Sequence, residues 1–295
     1  MKNKTFFKNA FIVFVSVIFG CLSILLLIPE PFNCLAETDE NTEIEELYFC
    51  DDGFSNAGSK TTVTETFAYA TKETVTNVQI NNTFPAYYNT DISLTNACGS
   101  VAGANVIGFY DRFFENLIPD HSPGVKRGSN YYYNPMTVNK ALKQAVIEDL
   151  YVRMGTNASQ GGTSITGYLN GLSSYVQSKG YSFSYDSLMN GSTLSLSSLI
   201  QSLNEGKPVT LFLQGFNISR VTDANGTTTI EKDVYNGSHI IIVYGISVVN
   251  YYNSANVLVK VKTYLSTASG IENSSGYYIL NNNGTIVGAN NVQIS

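Results

Sequence analysis

The sequence predicts an α+β domain in which a helical half precedes an antiparallel β-sheet half, with a cleft between the two. The first observation is that apolar residues recur at helical spacing in four segments between residues 101 and 204. The second is a change of period after Pro208, beyond which apolar and polar residues alternate as they do in strands. Clusters of Asn, Gly and Ser separate these later segments, which is typical of antiparallel turns.

The predicted helices share an apolar stripe, a polar residue that can cap the amino end and, for two of them, a glycine stop. Asn96, Thr137 and Thr163 are the expected caps, and Gly180 and Gly206 are the expected stops. The helices are predicted at residues 101–114, 137–150, 163–179 and 195–204. The strands are predicted at residues 209–216, 240–249, 256–266 and 276–281, with loops at 217–236 and 250–255.

Residues 1–36 have the three parts of a secretory signal peptide. A basic end precedes an uncharged apolar run over residues 11–28, and two prolines then end the run. Cys34 and Ala36 place small residues three and one before a cleavage site at the Ala36–Glu37 bond. The alternative is an uncleaved membrane anchor, because the run is at the lower limit for crossing a bilayer. We therefore expect the chain to be secreted, or held outside the cytoplasm by this segment.

Composition excludes several classes of partner. Only 14% of the residues are charged, the formal net charge is −6, and basic residues do not cluster along the sequence. We therefore expect no nucleic-acid partner. The chain has two histidines and no spacing of His, Cys and acidic residues that is typical of a metal site, so we expect no metal and no cofactor. We expect a monomer.

Cys98 is the strongest candidate for a nucleophile. It lies at the start of the first predicted helix, and His239 follows about 140 residues later, at the start of an apolar strand. A helix N-terminus and a neighbouring imidazolium both stabilise a thiolate, and they lower the thiol pKa from about 8.5 to ~3.5–7.5. The alternatives are a buried structural thiol and a strand-end histidine that is hydrogen-bonded to the backbone. His121, in a turn-rich segment, is expected to be a solvated loop residue.

Only Cys50 and Cys98 lie beyond the predicted signal peptide. Two cysteines are too few for a secreted domain that depends on disulfides. A permanent disulfide would also inactivate a nucleophile. We expect Cys98 to be a thiol, and Cys50 to be incidental or a reversible cap.

Acyl transfer also requires donors for the oxyanion. The backbone N–H of Cys98 is one expected donor. Asn96 is the first candidate for a side-chain donor and Asn89 is the second. The alternative role of Asn96 is to cap the helix.

The group that orients the histidine is harder to identify. A turn at residues 250–255 would place the residues opposite His239 near Ser266, where the sequence has no Asp or Asn. Asn281 on the following strand is the remaining amide candidate. A hydroxyl or a backbone carbonyl is the alternative.

Residues 96–112, NACGSVAGANVIGFYDR, resemble the nucleophile helix of secreted bacterial cysteine peptidases similar to the bacteriocin-leader-processing peptidases of the papain clan. Residues 237–245, GSHIIIVYG, resemble the histidine strand of that family. The resemblance implies a papain-like fold, Cys98 as the nucleophile, His239 as the base and a peptide-bond substrate, often cleaved after glycine. Two departures are Ser100, where relatives tend to carry proline, and the lack of an acidic residue in the expected position after the histidine strand.

Residues 37–84 are expected to form an acidic leader ahead of the peptidase domain, which is predicted to span residues 85–295. Within the leader, residues 61–80 are rich in Thr and Val, with an alternation that predicts one or two extended segments. This stretch is compatible with a propeptide that crosses the cleft. It is equally compatible with a flexible arm or an extra edge strand.

The sequence therefore predicts a secreted cysteine peptidase that acts on a peptide or protein substrate. Two alternatives stay open. A cell-wall peptide amidase or transpeptidase would use the same chemistry, whereas a surface binding module would retain the papain-like fold without catalysis.

Overall fold

A computed structural model describes residues 46–49, 61–80, 84–87, 93–114, 116–121, 124–127, 130–133, 139–271, 276–280 and 284–295. All of these lie in one of the two compact units of the chain, Cys34–Ser295. The predicted signal peptide, Cys50, Asn89, Thr137 and Asn281 lie outside the described residues. Among the helices that are described, none is long and apolar enough to cross a membrane.

Four helices occur in the described part of the chain, each close to a predicted one. They are α1 Cys98–Tyr110, α2 Lys140–Arg153, α3 Ile165–Ser178 and α4 Leu196–Asn204. Asn139, Ser164 and Ser195 cap α2, α3 and α4, each accepting a hydrogen bond from a backbone N–H in the first turn. The prediction of Thr163 as the cap of the third helix was wrong by one residue.

The strands of the described residues are numbered in chain order. They are β1 Tyr48–Phe49, β2 Thr61–Ala68, β3 Thr71–Gln79, β4 Gly124–Arg127, β5 Asn130–Tyr133, β6 Thr163–Ser164, β7 Phe183–Ser184, β8 Met189–Asn190, β9 Thr193–Leu194, β10 Val209–Ala224, β11 Thr227–Tyr252, β12 Leu258–Ala268, β13 Gly276–Ile279, β14 Thr285–Asn291 and β15 Gln293–Ile294. Every strand pairing among the described residues is antiparallel.

Four strands of the main sheet close into a ring. β11 pairs with β10 on one side and β12 on the other, β12 pairs with β13, and β13 returns to β10 through Ser219 and Tyr277. β14 pairs with β10 outside this ring. Closure removes sheet edges, and the ring becomes a small barrel beside the helices.

The sheet differs from the prediction in its connections. Residues 217–236, expected as a loop, form the outer part of a long β10–β11 hairpin that turns at Asn225 and Gly226. Both residues have positive φ, as the favoured two-residue hairpin turns require. The next turn lies at residues 253–257, later than predicted, so Ser266 pairs with Gly245 and not with a residue near His239.

The central strand β11 contributes to two separate cores because successive side chains point to opposite faces of a sheet. Ile240 and Ile242 pack in the cluster of α1, α2 and α3. Ile241 and Val243 pack in the second cluster, which includes the apolar side of α4. This alternation holds the helical half against one face of the sheet.

The N-terminal strands β2 and β3 both pair with β11, β2 along its first part and β3 along its last. Residues 61–80 are therefore edge strands of the main sheet. Glu65 on β2 accepts hydrogen bonds from Lys232, Lys260 and Lys262 at 2.6–3.0 Å. Burial alone would raise the pKa of Glu65, but the three lysines outweigh it and lower that pKa from 4.5 to about 2.

We predict that Glu65→Gln destabilises the fold, because three ammonium groups would then face each other without a carboxylate. A loss of about 1 kcal/mol is expected, which corresponds to a fall in Tm of about 2–4 °C. Thermal unfolding at pH 7 measures it. Glu231→Gln is the control, since the Glu231 side chain is 52% exposed in its ion pair with Arg220. Equal Tm values for the two variants would contradict the prediction.

Candidate active site

Cys98 is the first residue of α1, and it is 1% exposed and present as a thiol. The chain enters the helix through Asn96, whose φ of 56° is outside the helical range. The first turn of α1 has no acidic residue and no side-chain cap. Its N–H groups therefore present the positive end of the helix dipole at the sulfur.

A close approach of β6 to α1 depends on Gly99. A Cβ at this position would lie 2.8 Å from Thr163 Oγ1 and 2.9 Å from Thr163 Cβ. The small residue after the cysteine therefore lets β6 lie directly against the start of the helix.

The Cys98 thiol faces a backbone carbonyl. Its Sγ lies 3.6 Å from the carbonyl oxygen of Phe49, in donor geometry. Phe49 belongs to β1, which pairs with β6, so that Phe49 is opposite Thr163 and Tyr48 is opposite Ser164. The short strand β1, which belongs to the predicted leader, thus lies across the N-terminus of α1.

His239 lies on β11 and has no solvent exposure. Its Nε2 is 2.6 Å from the carbonyl oxygen of Ser269. A carbonyl oxygen can only accept, so Nε2 carries the proton and the neutral ring has its lone pair on Nδ1. The ring stacks on Phe216 at 4.9 Å and 13°. Burial lowers the pKa of His239 from 6.5 to about 4, although the bond to Ser269 opposes the shift.

The group bonded to the His239 ring is therefore a backbone carbonyl, one of the alternatives that the sequence left open, and its role in orienting a base stays a prediction. Ser269 follows the end of β12, and its own hydroxyl accepts a hydrogen bond from the N–H of Ile271. The turn between β11 and β12 lies later in the chain than predicted. As a result, the Ser269 carbonyl and not a side chain near Ser266 reaches the imidazole. Sequence reasoning missed Ser269 because a main-chain acceptor leaves no residue-type signal.

Cys98 and Ser238 contact the Tyr48–Phe49 strand from different elements, α1 and β11. Ser238, next to His239, donates to the Tyr48 carbonyl at 3.3 Å, whereas Cys98 donates to the Phe49 carbonyl. The register also pairs His239 with Leu213, on the face of β11 that carries Ile241. The imidazole therefore belongs to the barrel face of the strand, whereas Cys98 packs in the helical cluster on the opposite face. Among the described residues, no hydrogen bond joins Cys98 to His239, so the structure does not bring the two candidates together.

Asn96 does not cap α1, contrary to one of its two expected roles, because the cap position is Ala97. Its amide nitrogen donates to Asn157 Oδ1 at 2.7 Å. The same oxygen accepts the N–H of Gly162, and the Asn157 amide reaches Tyr151 OH at 2.6 Å. Asn157 thus joins Asn96 to the loop that precedes β6. The oxyanion role of Asn96 stays a prediction.

His121 was wrongly expected to be solvated. Its Nδ1 lies 2.8 Å from Asp111 Oδ2, and the side chains are only 7% and 1% exposed. Asp111 follows the last turn of α1, about 20 Å from Cys98 at 1.5 Å of rise per residue. This distance excludes His121 as the base for Cys98 and indicates that the pair closes the loop after the helix.

Comparisons with known proteins add no identification: no protein family, no curated protein and no solved structure matches this chain. Within the described ranges, no group of three His, Cys, Asp or Glu side chains could hold a metal ion. The chemistry of the site must therefore be argued from its own geometry.

We predict that His239 makes stability fall as the pH drops from about 6.5 to about 4. The unfolded chain takes up a proton first in this window, so acid favours unfolding. A shift of this size corresponds to about 3 kcal/mol at 1.36 kcal/mol per pKa unit. Urea unfolding of the wild type and of His239→Phe at several pH values measures the slope.

The matched control is Tyr235→Phe, which alters the other ring stacked on Phe216 without removing a group that titrates in this window. It should keep the wild-type slope. A His239→Phe protein with the same slope as the wild type would show that the histidine is not held neutral.

Proposed function

We propose that this chain is a cysteine peptidase of papain-like fold, with Cys98 as the nucleophile and His239 as the general base. The observation that carries the proposal is the 3.6 Å contact between the Cys98 thiol and the Phe49 carbonyl. A thiol at the N-terminus of a buried helix meets the main-chain carbonyl of an extended strand. A peptidase nucleophile must also lie beside the main chain of its substrate, although attack requires the sulfur to approach the carbonyl carbon and not the oxygen that it faces here.

The proposed reaction requires the His239 imidazole to leave the barrel face of β11 and its bond to Ser269 and to reach the sulfur, where it takes the Cys98 proton. The thiolate attacks the carbonyl carbon, the C–N bond breaks, and the leaving amine takes the proton back from the imidazolium. Water then hydrolyses the thioester with the same histidine as base. The N–H groups at the start of α1 favour the negative charge on sulfur and on the oxyanion.

We predict that the full chain hydrolyses peptides near neutral pH and that Cys98→Ala abolishes turnover. His239→Ala should lower kcat by about 10²–10⁴-fold, the usual contribution of a general base. Peptide-library digestion followed by mass spectrometry measures both effects. His121→Gln is the control, because His121 is bonded to Asp111 at the far end of α1. Turnover that survives in Cys98→Ala would refute the proposed nucleophile.

The second candidate function is a non-catalytic binding module, and the state of His239 favours it. The imidazole is fully enclosed, and burial lowers its pKa to about 4. A ring that stays neutral at pH 7 cannot hold a thiolate–imidazolium pair in this state. We call the surface of β6, Cys98 and Ser238 that holds Tyr48–Phe49 the groove. On this hypothesis the groove would bind an extended segment without cleaving it.

The pH profile of Cys98 alkylation by iodoacetamide separates the two functions. A peptidase should retain alkylation at pH 6–7, because the thiolate is stabilised there. A binding module should show the rate of an ordinary thiol, which falls about tenfold for each pH unit below its pKa of about 8.5. Mass mapping of the peptide that contains Cys98 gives the rate even when access to the sulfur is slow.

A further inference from the structure

The strand that covers Cys98 is held as a peptide ligand is held in strand addition. β1 adds its backbone antiparallel to β6, with Phe49 opposite Thr163. Its two carbonyls are bonded on different sides, Phe49 to the Cys98 thiol and Tyr48 to the Ser238 hydroxyl. Such main-chain contacts bind any extended sequence, so specificity must come from a side-chain pocket.

The Phe49 side chain fills such a pocket. It has no solvent exposure, and its ring lies 5.4 Å from the ring of Phe212 at 57°. Phe212 in turn meets the ring of Tyr168 edge-on at 5.5 Å. Aromatic pairs at these distances add about 0.5–1.5 kcal/mol beyond the burial of area. The pocket therefore has an aromatic wall that suits a large planar side chain.

The wall cannot easily collapse into a smaller pocket. A Cβ at Gly288 would lie 3.1 Å from Phe212 Cδ2, so β14 presses closely on the back of this ring. The Tyr168 hydroxyl is held to Thr210 Oγ1 at 3.0 Å. Removing the Phe49 ring would leave a space that the neighbours cannot fill, and a smaller residue would lose both burial and packing.

The three strands of the leader differ in how many of their residues pair with the rest of the fold. β2 and β3 pair with β11 along eight residues each. β1 pairs with β6 through two residues. β1 is therefore held by little backbone pairing and mainly by the buried Phe49 side chain, whereas β2 and β3 are held by long strand pairings with β11.

We propose that Tyr48–Phe49 is a built-in occupant of the substrate groove, and that the groove selects extended peptides with a large aromatic side chain at the Phe49 position. The assignment as a substrate groove rests on the proposed function. In the intact chain this occupant shields Cys98, which is 1% exposed. An incoming peptide must displace it, so the leader sets both access to the thiol and the aromatic preference. This preference differs from the cleavage after glycine that the sequence resemblance implies.

The test measures alkylation of Cys98 in the full chain by iodoacetamide at pH 8, where an ordinary thiol reacts and no catalysis is needed. Phe49→Ala should label at least tenfold faster than the wild type, because the occupant loses its anchor. The control is Phe113→Ala, an aromatic truncation at a side chain that is 61% exposed, and it should label at the wild-type rate. Equal rates for Phe49→Ala and the wild type would overturn the shielding.

The second arm adds peptides that copy residues 46–49 of the chain to Phe49→Ala. Acetyl-Glu-Leu-Tyr-Phe-amide should slow labelling at least fivefold, whereas acetyl-Glu-Leu-Tyr-Ala-amide should not. Equal protection by the two peptides would overturn the aromatic pocket. Because neither arm requires hydrolysis, a chain that binds the first peptide and never cleaves it would refute the peptidase and leave this inference standing.

Phe49→Leu is the second variant, in case the alanine variant does not fold. It keeps an apolar side chain while removing the aromatic contact with Phe212, and its labelling rate should lie between those of the wild type and Phe49→Ala. Far-ultraviolet circular dichroism checks that each variant is folded. A Phe49→Leu protein that is folded and labels at the wild-type rate would also count against the aromatic pocket.

Discussion

The register of β11 is the constraint on which the rest of the structure depends. This strand runs from Thr227 to Tyr252 and pairs with β10, β12, β2 and β3. Its alternation sends Ile240 to the helical core and Ile241 to the barrel core. A slip of one residue would exchange these faces and would disrupt the packing of both cores. The same register places Ser238 against Tyr48 and the His239 ring in the barrel core.

The burial of His239 conflicts with its proposed role as a general base. An enclosed imidazole with its Nε2 on Ser269 is neutral, since burial lowers the pKa of His239 to about 4. A base is most effective when its pKa is near the working pH. Because the ring packs on Phe216 in the barrel core, only a movement out of this enclosure would relieve the desolvation and raise that pKa toward its ordinary value. The barrel core thus sets the resting state of the histidine, whereas the strand β1 covers the thiol.

Local patterns accounted for much of the helical half. The apolar periodicity placed all four helices, and the glycine after Cys98 does permit the close approach that a small residue suggests. The caps were less accurate, because Thr163 is followed at once by Ser164, and either hydroxyl suits the local sequence. Tertiary packing decides between them: the Thr163 hydroxyl bonds to Thr156 at 2.7 Å, which leaves Ser164 to cap the helix.

The sequence by itself determined the order of the helices and of the strands after Pro208, because periodicity reports these directly, and it singled out Cys98 and His239 by residue type as candidates. The tertiary structure alone decided that residues 217–236 form a hairpin, that the Ser269 carbonyl bonds to the imidazole, and that Phe49 lies on the thiol. Each of these rests on backbone hydrogen bonds between distant segments. Every residue type except proline carries the same main-chain donor and acceptor, so the amino-acid pattern does not encode which of them will meet.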